Sequence, residues 1–159
     1  MGIEALSQDF LFAVFFELDI ARVKNIKNNL DYLSCPDRSY FIMKADSFRQ
    51  TSPDYIREKV LCMDLNSGEI QHFVYFLDPP YSWFKDAAIT TKLDKLIKSY
   101  LENPGKFPQE NPEKTNSKTT SPHIIVLLQS PTDASPDCFS LAPEKTYHYG
   151  KNSLSLFLP

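Results

Sequence analysis

The sequence predicts an α/β fold whose mainly parallel, doubly wound sheet is closed by a C-terminal antiparallel hairpin. Short apolar runs alternate with helical patterns along most of the chain, and such alternation is typical of parallel sheets. An acid stands at the end of three of these runs, at Glu17, Asp46 and Asp78. Because ligands of such sheets bind beyond the carboxyl ends of the strands, the acids indicate a site at one sheet edge.

Composition fits one globular domain over residues 1–159. Hydrophobic residues make up 42% of the chain, which is enough for a single core. The net charge of −3 is unlike that of a free-standing nucleic-acid binder, which is usually basic, but a catalytic domain that acts on nucleic acid needs only a local basic rim. The three cysteines and three histidines are scattered, so neither a metal site nor a disulfide framework is indicated.

The apolar run at residues 10–16 is too short to span a bilayer, and no basic stretch precedes it as in a signal peptide. With scattered cysteines that we expect to be reduced, this favours a cytoplasmic protein without a membrane partner.

In the first half of the chain, apolar periodicity predicts two helices and two strands. The run LFAVFFEL is rich in aromatic and β-branched residues and predicts a strand buried on both faces. Apolar residues then recur at three- and four-residue steps from Ile20 to Leu33, which indicates an amphipathic helix. The predicted elements are a helix at 1–8, a strand at 11–18, a helix at 20–33 and a strand at 40–43.

Residues 47–71 are open to two interpretations. Ser52-Pro53-Asp54 resembles a helix start with proline at the first helical position, which favours a helix. A hairpin around Asn66-Ser67-Gly68 is the alternative.

In the second half, the HFVYFL strand must stop at two prolines, because proline cannot continue a strand ladder. Pro, Asn, Lys and Thr dominate residues 103–122, which predicts a flexible loop. The predicted elements are a strand at 72–77, a helix at 89–101, a strand at 124–128, and hairpin strands around 147–150 and 154–158.

Asp78-Pro79-Pro80-Tyr81 is the most specific local feature. It resembles the D/N-P-P-Y/F/W motif of methyltransferases that act on amino groups of nucleic-acid bases. An exocyclic amine is a poor nucleophile because its lone pair is delocalised into the ring. A carboxylate and a rigid proline carbonyl that accept its two N–H bonds would localise that pair, and the tyrosine ring would stack on the base. A plain proline turn after a strand is the alternative.

The acids after the first two strands fit a nucleoside cofactor. An acid in the position of Glu17 can accept hydrogen bonds from ribose hydroxyls. Its alternative role is a helix N-cap, for which Asp19 is better placed. Asp46, which Ser47 follows, could accept from an adenine amine or could be an ordinary turn residue.

Four segments in order resemble the RsmD-type 16S ribosomal RNA guanine-N2 methyltransferases. The resemblance implies a Rossmann-like class I methyltransferase sheet that uses S-adenosylmethionine, and a monomer that acts on ribosomal RNA or the small ribosomal subunit. It implies cofactor contacts from Glu17, Asp46, Ser47 and Asp78. It also implies catalytic roles for Asp78, Pro79, Pro80 and Tyr81. The segments are MGIEALS (1–7), FFELDIARVKNIKNNL (15–30), FVYFLDPPYSWF (73–84) and TYHYGKNSLSLF (146–157).

The sequence departs from the family pattern at its start. The family's first strand and glycine-rich loop are expected just before Met1, and the four glycines form no GxG. That strand would be central, between the strands at 12–18 and 72–77, so its absence would leave two edges unpaired. We therefore expect this polypeptide alone to bind the methyl donor poorly. Gln129 also stands where the family more usually has an acid.

Two other functions remain open from the sequence. The motif suits an adenine-N6 DNA methyltransferase equally well, although 159 residues leave little room for a target-recognition segment. A non-catalytic methyltransferase remnant that acts as a binding module is the second alternative.

Overall fold

The computed structural model describes residues 1–8, 10–46, 48, 55–56, 72–102, 123–134 and 139–159. The chain divides into two compact units, Met1–Thr51 and Ser52–Pro159. The helix-or-hairpin alternative for 47–71, apart from three isolated residues, lies outside the described residues, and so does the predicted loop at 103–122.

The first unit contains two helices and a parallel strand pair, close to where the sequence predicts them. Strands β1 and β2 pair in parallel, with Ala13 opposite Tyr40 and Glu17 opposite Lys44. A parallel pair needs a crossover connection, and a helix supplies it here. The elements are α1 (Gly2–Ser7), β1 (Ala13–Glu17), α2 (Ile20–Tyr32) and β2 (Tyr40–Lys44), with a 3-10 turn at Asp37–Ser39.

Helix α2 begins at an Asp19 cap, as its side chain predicts. Asp19 Oδ1 accepts a hydrogen bond from the backbone N–H of Arg22 at 2.9 Å, which satisfies one of the unpaired donors of the first turn. The regular spacing of apolar residues predicts a face that is buried along the whole helix, but only part of that face is buried. Leu30 is fully buried, whereas Ile20 and Leu33 at the two ends are exposed.

Strand β1 is half-buried along its whole length, which differs from the prediction of a strand buried on both faces. Helix α1 covers part of it, and Gly2 makes that approach possible. A Cβ at Gly2 would lie 2.5 Å from Cε1 of the Phe15 ring, so only a glycine fits there without displacing the ring.

The second unit is built on a four-stranded mixed sheet with the order β3-β4-β6-β5. Strands β3 and β4 are parallel, with His72 opposite His123 and Leu77 opposite Leu128, and β6 runs antiparallel to both β4 and β5. The elements are β3 (His72–Leu77), a 3-10 turn (Tyr81–Lys85), α3 (Ala87–Glu102), β4 (His123–Pro131), β5 (Lys145–Tyr149) and β6 (Asn152–Phe157).

Strand β4 is longer than its apolar run. The sequence predicts a strand ending at Leu128, but pairing with β6 continues until Pro131 stands opposite Asn152. The extension exists because Gln129 and Ser130 pair with residues of β6. Their polar side chains give no indication of a strand in the sequence. The α/β prediction with a closing antiparallel hairpin is confirmed.

The core of the second unit lies between α3 and one face of this sheet. Alternate residues of β4 and β6 are buried on that face, as expected where one side of a sheet is covered. The Tyr100 ring of α3 stacks on Tyr75 of β3 with centroids 3.9 Å apart. The buried apolar side chains of α3 and the sheet are Leu93, Ile97, Tyr100, Leu101, Ile124, Val126, Leu128 and Phe157.

Among the described strands, β1 pairs with β2 alone and β3 pairs with β4 alone. None of the helices in the described ranges is long and apolar enough to cross a membrane.

Helix α3 is tied to the chain before β5 by a charged hydrogen-bond cluster. Asp94 accepts bonds from Ser140, through the backbone N–H at 2.9 Å and through the hydroxyl at 2.8 and 2.9 Å. Lys98 lies 3.6 Å from the same carboxylate. Burial alone would raise the pKa of Asp94, but the Ser140 bonds and the Lys98 charge outweigh it and hold the pKa below its usual value near 3.8.

We expect Asp94→Ala to lower the free energy of unfolding by about 1–3 kcal/mol at pH 7, because a hydrogen-bonded carboxylate is lost. The lowered pKa means that this contribution is complete above the unfolded-state pKa near 3.8 and is lost as the pH falls through the folded-state pKa. Urea unfolding followed by Trp83 fluorescence, repeated from pH 7 to pH 3, measures it.

Lys98→Ala is the matched control, since it removes only an i,i+4 ion pair and should cost no more than about 0.5 kcal/mol. A deficit in Asp94→Ala that stays constant down to pH 3 would contradict the assignment.

Candidate functional site

The Asp78–Tyr81 turn leaves the sheet at the carboxyl end of β3. Strand β3 ends at Leu77, and Pro79 is buried while Asp78, Pro80 and Tyr81 are exposed. The backbone N–H of Trp83 donates to the Pro80 carbonyl at 2.9 Å, which starts the 3-10 turn. A buried proline followed by a hydrogen-bonded turn fixes the backbone direction at this point.

Two acceptor groups in this turn are available to a ligand. The exposed Asp78 carboxylate accepts no hydrogen bond from the described residues. No turn or cap bond in the described part of the chain uses the Pro79 carbonyl. The turn therefore presents a charged and a neutral acceptor side by side, which suits a donor with two N–H bonds.

The Tyr81 side chain is held by residues that sequence reasoning did not assign to the site. Its hydroxyl donates to Asn152 Oδ1 and accepts from Gln129 Nε2 at 3.3 Å. Gln129 Oε1 in turn accepts from the Tyr149 hydroxyl at 3.3 Å. We call Tyr81, Gln129, Tyr149 and Asn152 the tyrosine network.

The tyrosine network joins three parts of the second unit: the turn after β3, the end of β4 and the β5–β6 hairpin. The sequence marks Gln129 only as a departure from the family pattern. The signal that could have linked it to Tyr81 is its place directly after the apolar run of a strand parallel to β3. The partner on the hairpin could not be found from spacing alone.

The hairpin turn depends on Gly150. Its φ is +58°, a left-handed value that residues with a Cβ adopt only at some cost. Tyr149 and Asn152 are paired across this turn, so the turn sets the position of two members of the tyrosine network.

The two acids of the first unit stand at one edge of its strand pair. Glu17 is the last residue of β1, and Asp46 follows the end of β2 by two residues. Glu17 Oε1 accepts from the Asp19 N–H at 2.9 Å, and its Oε2 lies 3.8 Å from Arg22. Asp46 Oδ1 accepts from the Phe48 N–H at 2.9 Å.

Both acids therefore have local structural roles, and both remain acceptors at the carboxyl ends of parallel strands. Glu17 and Asp46 belong to the first unit, and the Asp78–Tyr81 turn belongs to the second. Ser47 lies outside the described residues. In the described ranges, no three His, Cys, Asp or Glu side chains are grouped so that they could hold a metal ion.

The family assignment follows from a match over most of the chain. The family described as "Conserved hypothetical protein 95" matches residues 1–133. The chain belongs to this family. Because it is the RsmD family, the resemblance carried by the four sequence segments is confirmed. No curated protein matches the sequence.

Solved structures that share this fold include proteins from three bacteria. A Haemophilus influenzae protein named as a methylase is 20% identical, with a TM-score of 0.58, 99% of this chain covered and 78% of that chain. A conserved hypothetical protein of Streptococcus pyogenes is 19% identical, with a TM-score of 0.56 and coverage of 98% and 76%. The yhhF protein of Escherichia coli, named as a methyltransferase, is 14% identical, with a TM-score of 0.55 and coverage of 99% and 67%.

These likenesses establish the Rossmann-like fold of methyltransferases for this chain. At such identities they establish the fold alone, so the reaction has to be argued from the residues of the site.

We expect Gly150→Ala to lower the free energy of unfolding by about 1 kcal/mol, because alanine is strained at a positive φ. Lys151→Ala is the control, since the neighbouring turn position is exposed and its side chain makes no hydrogen bond with the described residues. Thermal unfolding of the two variants and the wild type checks this. An equal loss in both would show that Gly150 has no special role in the turn.

Proposed function

We propose that this protein transfers a methyl group from S-adenosylmethionine to the exocyclic N2 amine of a guanine in small-subunit ribosomal RNA. The observation that carries the proposal is the pair of available acceptors at the end of β3, the Asp78 carboxylate and the Pro79 carbonyl. Membership of the RsmD family and the methyltransferase fold support methyl transfer as the reaction class.

The chain's own residues would activate the amine by orienting it. If Asp78 and Pro79 each accept one N–H bond, the nitrogen lone pair is drawn out of conjugation and turned toward the methyl donor. Such preorganised acceptors are worth most when the attack geometry is already fixed. The buried Pro79 supplies that rigidity, because its ring fixes the backbone that carries the carbonyl.

Tyr81 would stack on the guanine. The residue is 41% exposed, while its hydroxyl is tied to Asn152 and Gln129. A ring fixed at its tip offers a stacking face without losing much side-chain entropy on binding. The guanine would be unstacked from its RNA, as enzymes that act on a base require.

The first unit contains residues that fit the methyl donor. S-adenosylmethionine carries two ribose hydroxyls and an adenine amine, which are donors, and its sulfonium supplies the electrophilic methyl group. Glu17 and Asp46 are carboxylates at the ends of adjacent parallel strands, and carboxylates there accept from such groups. Glu17 would hold the ribose and Asp46, with Ser47, the adenine.

The substrate is tested by offering the protein three different nucleic-acid acceptors. Protein purified from its own cells is incubated with S-adenosylmethionine carrying a tritiated methyl group. The acceptors are small-subunit ribosomal RNA, the assembled small subunit and duplex DNA. We expect label in RNA, recovered as N2-methylguanine after digestion. Label in adenine of duplex DNA would instead support the adenine-N6 alternative, and no label in any acceptor would support the non-catalytic alternative.

We expect Asp78→Ala to lower the turnover number by about 100-fold or more, because one charged partner of the amine is lost. Asp78→Asn should retain more activity, since its amide oxygen still accepts one N–H. The KM for S-adenosylmethionine should stay unchanged in both variants. Steady-state methyl transfer to ribosomal RNA measures all three quantities.

Glu102→Ala is a suitable control, because Glu102 is an exposed carboxylate at the far end of α3. If Asp78→Ala raised the KM for the donor as much as it lowered turnover, Asp78 would be a cofactor or folding residue.

A further inference from the structure

The tyrosine network presents a second exposed aromatic ring beside the proposed reaction site. Tyr149 is 45% exposed, close to the 41% of Tyr81. Each ring is tethered through its hydroxyl, so the polar end is satisfied within the protein while much of the aromatic surface faces solvent. An exposed ring whose hydroxyl is already hydrogen-bonded can stack on a base without leaving a polar group unsatisfied.

One amide joins the two rings. Gln129 donates to the Tyr81 hydroxyl through Nε2 and accepts from the Tyr149 hydroxyl through Oε1, both at 3.3 Å. Because the two hydroxyls share one side chain, the rings belong to one small patch of surface. In single-stranded nucleic-acid sites, neighbouring nucleotides stack on successive aromatic side chains, and two exposed rings joined through one amide fit that pattern.

Lysines accompany the aromatic rings on strand β5. Alternate residues of a strand share a face, so Lys145, Tyr147 and Tyr149 lie on the same side of β5. The Lys145 ammonium sits 4.8 Å from the centroid of the Tyr147 ring, and the exposed Lys151 follows in the hairpin turn. Lysines interleaved with exposed tyrosines supply phosphate contacts and base stacking together, although the whole chain carries a net charge of −3.

We propose that Tyr149 stacks on the nucleotide next to the target guanine, and that Gln129 and Asn152 are positioning residues that hold Tyr149 and Tyr81 for this purpose. The proposal rests on the proposed function, since it takes the Asp78–Tyr81 turn as the place of the target base. It adds a stacking contact to the nucleotide beside the reacting one. It also implies that the RNA around the target guanine is single-stranded when it binds.

A thermodynamic cycle between protein and RNA tests the contact. The probe is a seven-nucleotide oligoribonucleotide of uridines with a central guanosine, compared with versions in which the nucleotide on one or the other side of the guanosine lacks its base. Binding is followed by the fluorescence of Trp83, the one tryptophan of the chain, which lies two residues after Tyr81. Wild-type protein should bind one of the two abasic versions about 10-fold more weakly than the intact oligonucleotide.

Tyr149→Leu should bind the intact oligonucleotide about 10-fold more weakly as well, and should not distinguish it from that abasic version. Tyr149→Phe keeps the ring and should retain most of the wild-type affinity and discrimination. If Tyr149→Leu still discriminates by the wild-type factor, or if wild-type protein does not bind the oligonucleotide, the proposal is overturned.

Gln129→Met tests the positioning role, because methionine has similar length but cannot bridge the two hydroxyls. We expect about fivefold weaker binding of the intact oligonucleotide, the size of effect that follows from losing neutral hydrogen bonds, and reduced discrimination against the abasic version. A merely structural role would instead lower the midpoint of thermal unfolding and leave the affinity of the folded protein unchanged.

The proposed function fails in a different way. Replacing the central guanosine by inosine removes only the N2 amine, so it should abolish methyl transfer while leaving the stacking contact in place. If the protein methylates the guanosine but Tyr149→Leu discriminates against the abasic oligonucleotide as the wild type does, the further inference alone is overturned. If Tyr149→Leu loses that discrimination but no methyl group is transferred, the proposed reaction is overturned and the stacking contact is supported.

Discussion

The parallel register of β3 and β4 determines where the candidate site can form. With Leu77 opposite Leu128, the next residues along the two strands, Asp78 and Gln129, emerge at the same edge of the sheet. The prolines end β3 there, while β4 continues and pairs with β6 until Pro131 faces Asn152. One register therefore brings together the acceptors of the proline turn, the amide of Gln129 and the hairpin.

That register is stabilised by the packing of α3 across one face of the sheet. Parallel strand pairs are found where helices cover them, and here the Tyr100 ring stacks directly on Tyr75 of β3. Phe139 extends this core, since its ring makes edge contacts with Phe84 after the proline turn and with Phe157 of β6. The same helix and rings also contact the 3-10 turn after the prolines, through the Thr90 bond to the Trp83 carbonyl and the Phe84–Phe139 ring contact.

The fold of this chain does not by itself identify its reaction. The family match and the solved structures determine the architecture, but many chemistries occur on such sheets. Amine methylation is favoured by one charged and one neutral acceptor on consecutive residues, Asp78 and Pro79, close in sequence to the exposed Tyr81. The tyrosine network then adds information that the family resemblance did not contain, because Gln129 departs from the expected residue and yet bonds to both Tyr81 and Tyr149.

The sequence determined the strand and helix order, the end of β3 at its prolines, the Asp19 cap and the acids at the strand ends. These are local properties, governed by the side-chain periodicity of single segments and by the backbone limits of proline. The sequence also supplied the family through short segments in a fixed order. It overestimated the burial of β1 and of the ends of α2, because burial depends on what packs against an element.

Only the tertiary structure decided which side chains meet Tyr81. Gln129 and Asn152 lie 48 and 71 residues from it along the chain, and polar residues in strands carry no periodic signal that identifies a distant partner. The extension of β4 to Pro131 was hidden for the same reason, since its pairing comes from β6 and not from its own apolar content. Long-range hydrogen bonds depend on strand register, and register is set by the packing of the whole sheet.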